Sequence, residues 1–278
     1  MRPSPHPIAA LLLLALSASR SDGQWLESKG GHYSVFYQNG FERDTLFART
    51  WADRAEQVMR DKYHVTLDGY HLSIYLHAAP EDGIDVNTAR NRCCAPSPNG
   101  DSTARIDMLT PSAPAMLAAN AISSLGLPKN SESYQAKILM SEYIPLGHFA
   151  VQNRRASGGW RYYSAPNWFV QGLQEYDAIF HTTTDNARVT ADALSKWAAS
   201  RATSLCCGPQ FRLTDDYNGG ASFLSFLAKE FGEDVHRRIL ASSADTFWAA
   251  LTEQTKPYTT AQLFERFQEW LRAGAPMK

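Results

Sequence analysis

The order of patterns along the chain predicts an α+β fold: a small, mainly antiparallel N-terminal sheet with helices, then a helical C-terminal lobe. Three observations carry that expectation. Runs rich in β-branched and aromatic residues at strand spacing all fall before residue 110. From residue 131 onward the apolar residues recur at helical spacing. Strands first and helices later fit an α+β layout better than a doubly wound sheet, and no internal repeat suggests a solenoid. The chain has 278 residues, 44% hydrophobic and 20% charged, which suits a globular protein with a sizeable core and excludes a disordered or fibrous one.

Residues 1–23 stand apart. A positive start at Arg2, an apolar run from Ile8 to Leu16 and small residues at Ser17-Ala18-Ser19 read as a secretory signal peptide. The run is about half of the ~20 residues needed to cross a bilayer. Cleavage after Ala18, Ser19 or Gly23 suits the small residues, the region before Gln24 best. No other stretch reaches spanning length. The expectation is a secreted or periplasmic protein without a membrane span, its mature domain covering 24–278.

Within that domain, 24–115 is the strand-rich part and 131–273 the helical part. His32–Gln38 is the first strand. Asp44–Tyr63 places Phe47, Trp51, Ala55, Val58, Met59 and Tyr63 on one helical face, with Asp44 as N-cap. His71–His77 alternates as a second strand. Residues 80–103 are polar and rich in Pro, Gly and Asn, and read as a loop. Arg105–Leu109 is a third strand, stopped by Pro111 and Pro114. Helices follow over 131–151, 166–181, 190–201, 221–231, 234–241, 244–253 and 261–273, with Gly232 ending the fourth of them.

Charge excludes one class of partner. Lys and Arg total 27, Asp and Glu 28, so no basic excess exists to neutralise a nucleic-acid backbone. The four cysteines form two adjacent pairs, Cys93-Cys94 and Cys206-Cys207. In an oxidising compartment they are expected as disulfides. Neighbouring cysteines strain the peptide between them, so bridges between the pairs are expected, closing a loop of about 110 residues worth roughly 4–5 kcal/mol. A four-thiolate zinc site is the alternative, and adjacent cysteines fit its usual spacing of two to four poorly.

Two phrases carry chemical information: Leu139-Met-Ser-Glu-Tyr-Ile-Pro-Leu-Gly-His148 and Pro166-Asn-Trp-Phe-Val-Gln-Gly-Leu-Gln-Glu-Tyr176. Together they resemble the core of the gluzincin metallopeptidases, the thermolysin-like, peptidase MA-like proteins. That family carries His-Glu-x-x-His on one helix and Pro-x-Trp-x-x-Glu-Gly-x-x-x-Tyr on a later one. The flanks are similar too: a strand–helix–strand–strand lead-in, Tyr217 to Phe223, Phe231-Gly-Glu233, and a terminal stretch with Phe247, Ala250, Leu251, Phe267, Trp270 and Leu271. The resemblance covers most of residues 24–273, and Pro166, Trp168, Gly172, Leu173 and Tyr176 are its most specific part.

The departures fall on the chemistry. The resemblance puts Ser141 and Pro145 at the two histidine-ligand positions and Gln171 at the carboxylate-ligand position. Only Glu142, at the general-base position, matches. Histidines at i and i+4 share a helical face and converge on one ion, which lowers the pKa of bound water to about 7. A serine hydroxyl is a poor zinc ligand, proline has no side-chain donor and glutamine has lost the charge. Pro145 also removes a helical hydrogen bond and crowds the carbonyl of residue 141, at about 3 kcal/mol or more, so a kink or pause is expected at 141–145.

No replacement ligand set is legible. The histidines are 6, 32, 64, 71, 77, 148, 181 and 236, and none is spaced His-x-x-x-His. His148 lies about 600° round the helix from Glu142, at ~100° per residue. Each histidine reads as a surface or hydrogen-bonded residue. No Gly-x-Ser-x-Gly elbow, phosphate loop or Cys–His nucleophile appears. Glu142 and Glu175 as a glycosidase pair are outweighed by surface or helix-end roles. The loop entering the second phrase offers Trp160, Tyr162 and Tyr163 as cleft aromatics, with Trp168 and Tyr176 on the helix beyond. The competing reading is that they roof the core.

What the resemblance implies is a catalytically inactive metallopeptidase homologue that holds no metal or other cofactor and acts by binding a peptide, protein or glycan. The alternatives are an active hydrolase of the same family, with zinc on an unrecognised ligand set, and a structural or interaction protein with a filled cleft.

Overall fold

The computed structural model describes residues 24–81, 84–86, 89–96, 102–154, 159–181, 184–204, 213 and 217–277, with the backbone alone for 90–96, 102 and 184–190. Five strands come first: β1 (Trp25–Lys29), β2 (Tyr33–Gln38), β3 (Tyr70–His77), β4 (Arg90–Pro96) and β5 (Ser102–Leu109). Helix α1 (Glu42–Tyr63) lies between β2 and β3. After β5 come α2 (Pro114–Leu117), α3 (Glu132–Tyr143), α4 (Pro145–Asn153), α5 (Asn167–His181), α6 (Thr184–Ser200), α7 (Asn218–Phe231), α8 (Val235–Ala241), α9 (Phe247–Gln254) and α10 (Thr260–Arg272). The chain is therefore α+β, with its sheet at the N-terminal end and a helical remainder. No helix among the described residues is long and apolar enough to cross a membrane.

The sheet order is β1-β2-β3-β5-β4. β1 and β4 pair antiparallel at the two edges, while β2–β3 and β3–β5 are parallel. The sheet is thus mixed rather than mainly antiparallel. The 22-residue α1 is the crossover that a parallel β2–β3 pair requires, since a tight turn can join only antiparallel neighbours. Both edge strands are absent from the sequence expectation. β1 reads Trp-Leu-Glu-Ser-Lys and β4 Arg-Asn-Arg-Cys-Cys-Ala-Pro, within the stretch expected to be loop. Edge strands tolerate charges and proline that a central strand excludes, so their sequences lose the usual strand pattern.

The α1 boundary also moves. The helix starts at Glu42, and Asp44 sits inside its first turn rather than at the N-cap. Its carboxylate accepts hydrogen bonds from the Thr110 and Ser112 hydroxyls, which anchors α1 to the segment leaving β5. Gly232 ends α7 as expected, at φ +90° with its N–H donating to the Ala228 carbonyl at 3.0 Å.

One hydrophobic core runs through the strand-rich and helical parts. It joins Val35, Leu72, Ile74 and Ile106 of the sheet to Leu139, Phe169, Leu173, Phe223, Leu227 and Phe267 of the helices. The tightest helix crossing is α5 against α7. A Cβ on Gly172 would stand 2.5 Å from Gly220 Cα, and one on Gly220 would stand 2.1 Å from the Trp168 carbonyl oxygen. Glycine is required at both places because backbone meets backbone there.

Candidate functional site

Helix α3 packs on α5, bringing the two chemically informative phrases together. Lys137 Nζ bonds both carboxylate oxygens of Glu175, at 2.5 and 2.7 Å, and both side chains are nearly buried. Lys137 precedes Ser141 by one turn, and Glu175 follows Gln171 by one turn. Residues four apart share a helix face. Ser141 and Gln171 therefore belong to the faces along which α3 and α5 meet.

The backbone is interrupted beside them. α3 stops at Tyr143, Ile144 is a single-residue junction and Pro145 opens α4. Proline is tolerated in the first turn of a helix, where its missing N–H would have no partner in any case. The helical stretch expected over 131–151, with a kink or pause at 141–145, is thus two helices divided at Ile144. The Ile144 N–H still reaches the Met140 carbonyl at 3.0 Å, and the Gly147 N–H tightens onto the Ile144 carbonyl at 2.8 Å. The Ser141 hydroxyl turns back to donate to the Ile138 carbonyl at 2.9 Å.

These groups do not fit zinc. One hydroxyl is spent on its own helix, a buried proline has no donor, and a half-buried amide is neutral. No group of three His, Cys, Asp or Glu that could hold a metal occurs among the described residues. Glu142 is half-buried. It lies near Tyr163, whose hydroxyl pKa is raised by partial burial and then by the Glu142 charge.

The five aromatic candidates separate. Trp160, Tyr162, Trp168 and Tyr176 are 1–3% exposed, so they belong to the core rather than to an open cleft. The reason is packing: Trp160 meets Phe169 and Phe247 edge-on, and Trp168 meets Phe223, Phe247 and Phe264. Tyr163 is the exception at 58% exposed, resting on Phe149 at 5.0 Å. The side chains of Cys93 and Cys94, all of Cys206 and Cys207, and residues 1–23 lie outside the described residues.

Sequence reading missed the most polar feature of the interior. Asp177 is fully buried and accepts from Lys62 Nζ at 2.5 Å, Tyr63 Oη at 2.5 Å and His148 Nε2 at 3.0 Å. His148 in turn meets Tyr162 Oη through Nδ1 at 3.0 Å. Burial pushes the Asp177 carboxyl up, but the Lys62 ammonium and the His148 bond outweigh it and hold the group ionised. Burial pushes His148 down, to the neutral imidazole that donates to Asp177 through Nε2 and accepts from Tyr162. His181, 3.8 Å from the same carboxylate, is lowered to about 4 by burial and by Lys62. A signal was present: His148 in Pro-Leu-Gly-His-Phe-Ala-Val and Asp177 in Tyr-Asp-Ala-Ile-Phe are lone polar residues in apolar runs, and buried polar groups need partners.

A second polar cluster closes the far end of the sheet. His77 Nε2 and Arg105 converge on Asp107, with His77 at 2.8 Å, and Arg105 stacks on Tyr75 at 3.8 Å. Burial raises the Asp107 carboxyl, but the His77 and Arg105 hydrogen bonds overcome it and set the pKa at about 2. His77 and Asp107 are buried, so this cluster ties β3 to β5.

A cavity of about 190 Å³ opens beside the Asp177 network, lined by Tyr176, Phe180 and His181 of α5, Ser225, Ala228 and Lys229 of α7, and Glu233 and Met277. Tyr176, one of the five, thus also borders this cavity. Compared with family models and with curated protein sequences, the chain matches none.

Proposed function

We propose that this chain is a catalytically inactive homologue of the gluzincin metallopeptidases, exported from the cytoplasm, that acts by binding a peptide, protein or glycan. The observation that carries the reading is the helix interruption at Ile144, with Pro145 at one former ligand position and Ser141 beside it bonded to its own helix. A zinc peptidase needs two imidazoles fixed on an unbroken turn at that point. The α3–α5 seam supports the same reading, because it carries Ser141 and Gln171 on the meeting faces. Glu142 and Tyr163 border that region with surface to offer, and Tyr163 presents an exposed aromatic face of the kind that recognises apolar or sugar groups.

Elemental analysis and peptidase assays, with and without added zinc, test the proposal. The mature protein should carry no stoichiometric zinc and cleave no peptide, and a chelator should leave its melting temperature unchanged. The triple change Ser141→His, Pro145→His, Gln171→Glu should create zinc binding that the parent lacks. About one zinc per parent chain, lost together with stability on chelation, would favour a working hydrolase instead. A folded triple variant that ignores zinc at micromolar concentration would refute the assigned register.

A further inference from the structure

We propose that the cavity between the C-terminal ends of α5 and α7 binds a free α-amino acid with an apolar side chain. This inference is independent of the metallopeptidase resemblance. It rests on shape, on charge balance and on two charged groups that each hydrogen-bond a neutral partner.

The shape follows from the glycines. α5 and α7 run in the same direction: Gly172 meets Gly220 near their starts, and Phe180 and Ala228 line one cavity near their ends. Backbone contact at the glycines gives way to larger side chains farther along, and about 190 Å³ is left open. That volume suits a molecule of amino-acid size. One wall is apolar, made by the stacked Tyr176 and Phe180 rings, 4.6 Å apart, with Ala228 and Met277.

The charges are Glu233 and Lys229. Glu233 Oε2 accepts from the Tyr176 hydroxyl at 2.8 Å, and its other oxygen remains as an acceptor. Lys229 Nζ donates to the Pro276 carbonyl at 3.1 Å, with two further N–H bonds to give. Among the described residues neither is in an ion pair, and each hydrogen-bonds a neutral partner. His181 on the same wall is a neutral imidazole at pH 7, and the Lys62–Asp177 pair beneath is internally balanced. Among the described residues, the lining therefore carries one positive and one negative charge. A zwitterion matches that pattern, its ammonium on Glu233 and its carboxylate on Lys229, where a simple anion or cation would leave one charge facing its like.

Isothermal titration calorimetry of the mature chain tests this with L-leucine, L-methionine and L-phenylalanine, alongside N-acetyl-L-leucine and L-leucinamide. At least one free amino acid should bind saturably. Removing the ammonium or the carboxylate from leucine should weaken binding by about tenfold or more, as loss of a charge-assisted hydrogen bond does. Glu233→Gln and Lys229→Met should weaken the free amino acid by a similar factor. Both side chains are exposed, so these variants should melt with the parent. Absence of saturable heat for all three amino acids up to ~20 mM would overturn the proposal. So would blocked derivatives that bind as well as leucine, or binding that both variants leave unchanged.

Discussion

Lys137 and Glu175 form a two-pronged ion pair across the seam of α3 and α5, with each carboxylate oxygen within 2.7 Å of the same ammonium. Replacing Lys137 by Met leaves a nearly buried carboxylate without its cation, and should cost about 3 kcal/mol. The double variant Lys137→Met, Glu175→Leu should recover most of that loss, because an apolar pair of similar volume avoids the desolvation penalty. Urea unfolding of the four proteins in a double-mutant cycle gives the coupling directly. Equal losses in the single and double variants would show that the pair contributes only by packing.

Asp177 should be the more sensitive position. Asp177→Ala leaves Lys62, Tyr63 and His148 without their common acceptor inside the protein. A loss of about 3–5 kcal/mol is expected, enough to threaten folding at 37 °C. Circular dichroism during urea titration measures it. Lys62→Met should cost less than Asp177→Ala, since Tyr63 and His148 still satisfy the carboxylate.

Stability should fall between pH 7 and pH 4, before the carboxylates titrate. His181 is lowered to about 4, and burial pushes His148 and His236 down as well. In the unfolded chain each titrates near ~6.5. Below about 6.5 the unfolded state therefore binds more protons at all three, and His181 alone removes up to ~1.4 kcal/mol per pH unit as pH falls toward 4. Asp177 acts lower: its depressed pKa gives stability that is full above about 4 and lost below it. Melting temperature against pH checks the window, and His181→Gln should flatten the slope. A profile that is level from pH 7 to pH 4.5 would contradict the buried neutral histidines.

At the glycine crossing, two effects oppose each other. Gly172→Ala gains about 1 kcal/mol of helix propensity. It also places a Cβ 2.5 Å from the backbone of Gly220, which has no flexible end to swing away. Overpacking against backbone should win, with a net loss of about 2 kcal/mol. Gly220→Ala, at 2.1 Å from the Trp168 carbonyl oxygen, should be worse. Equal or higher stability in Gly172→Ala would mean that α5 and α7 separate freely.

The central strands and most helices were legible because their burial is one-sided. β3 alternates from Leu72 to Leu76, and α1 carries Trp51, Ala55 and Met59 on one face. β1 and β4 were not, because an edge strand has one neighbour and needs no strand-like composition. The break at Ile144 was legible from Pro145 alone, through a purely local rule. The partners of His148 and Asp177 were not, since Lys62 and Asp177 lie 115 positions apart and only the tertiary fold brings them together. The burial of Trp160 and Trp168 was not legible for a related reason: composition identifies both as large, while neighbours decide whether a ring meets solvent or Phe247.

Lys62 ends the helix that crosses over the sheet, yet its charge serves a carboxylate in the middle of the helical part. The two parts are consequently not interchangeable modules. A fragment beginning after β5 would keep Asp177 in its apolar surroundings and lose both the lysine and the tyrosine that make an anion tolerable there. A graft of another sheet onto these helices would meet the same obstacle unless it brought a cation to that one spot. The C-terminal helices thus depend on Lys62 and Tyr63 of α1 to keep an ionised Asp177 in their interior.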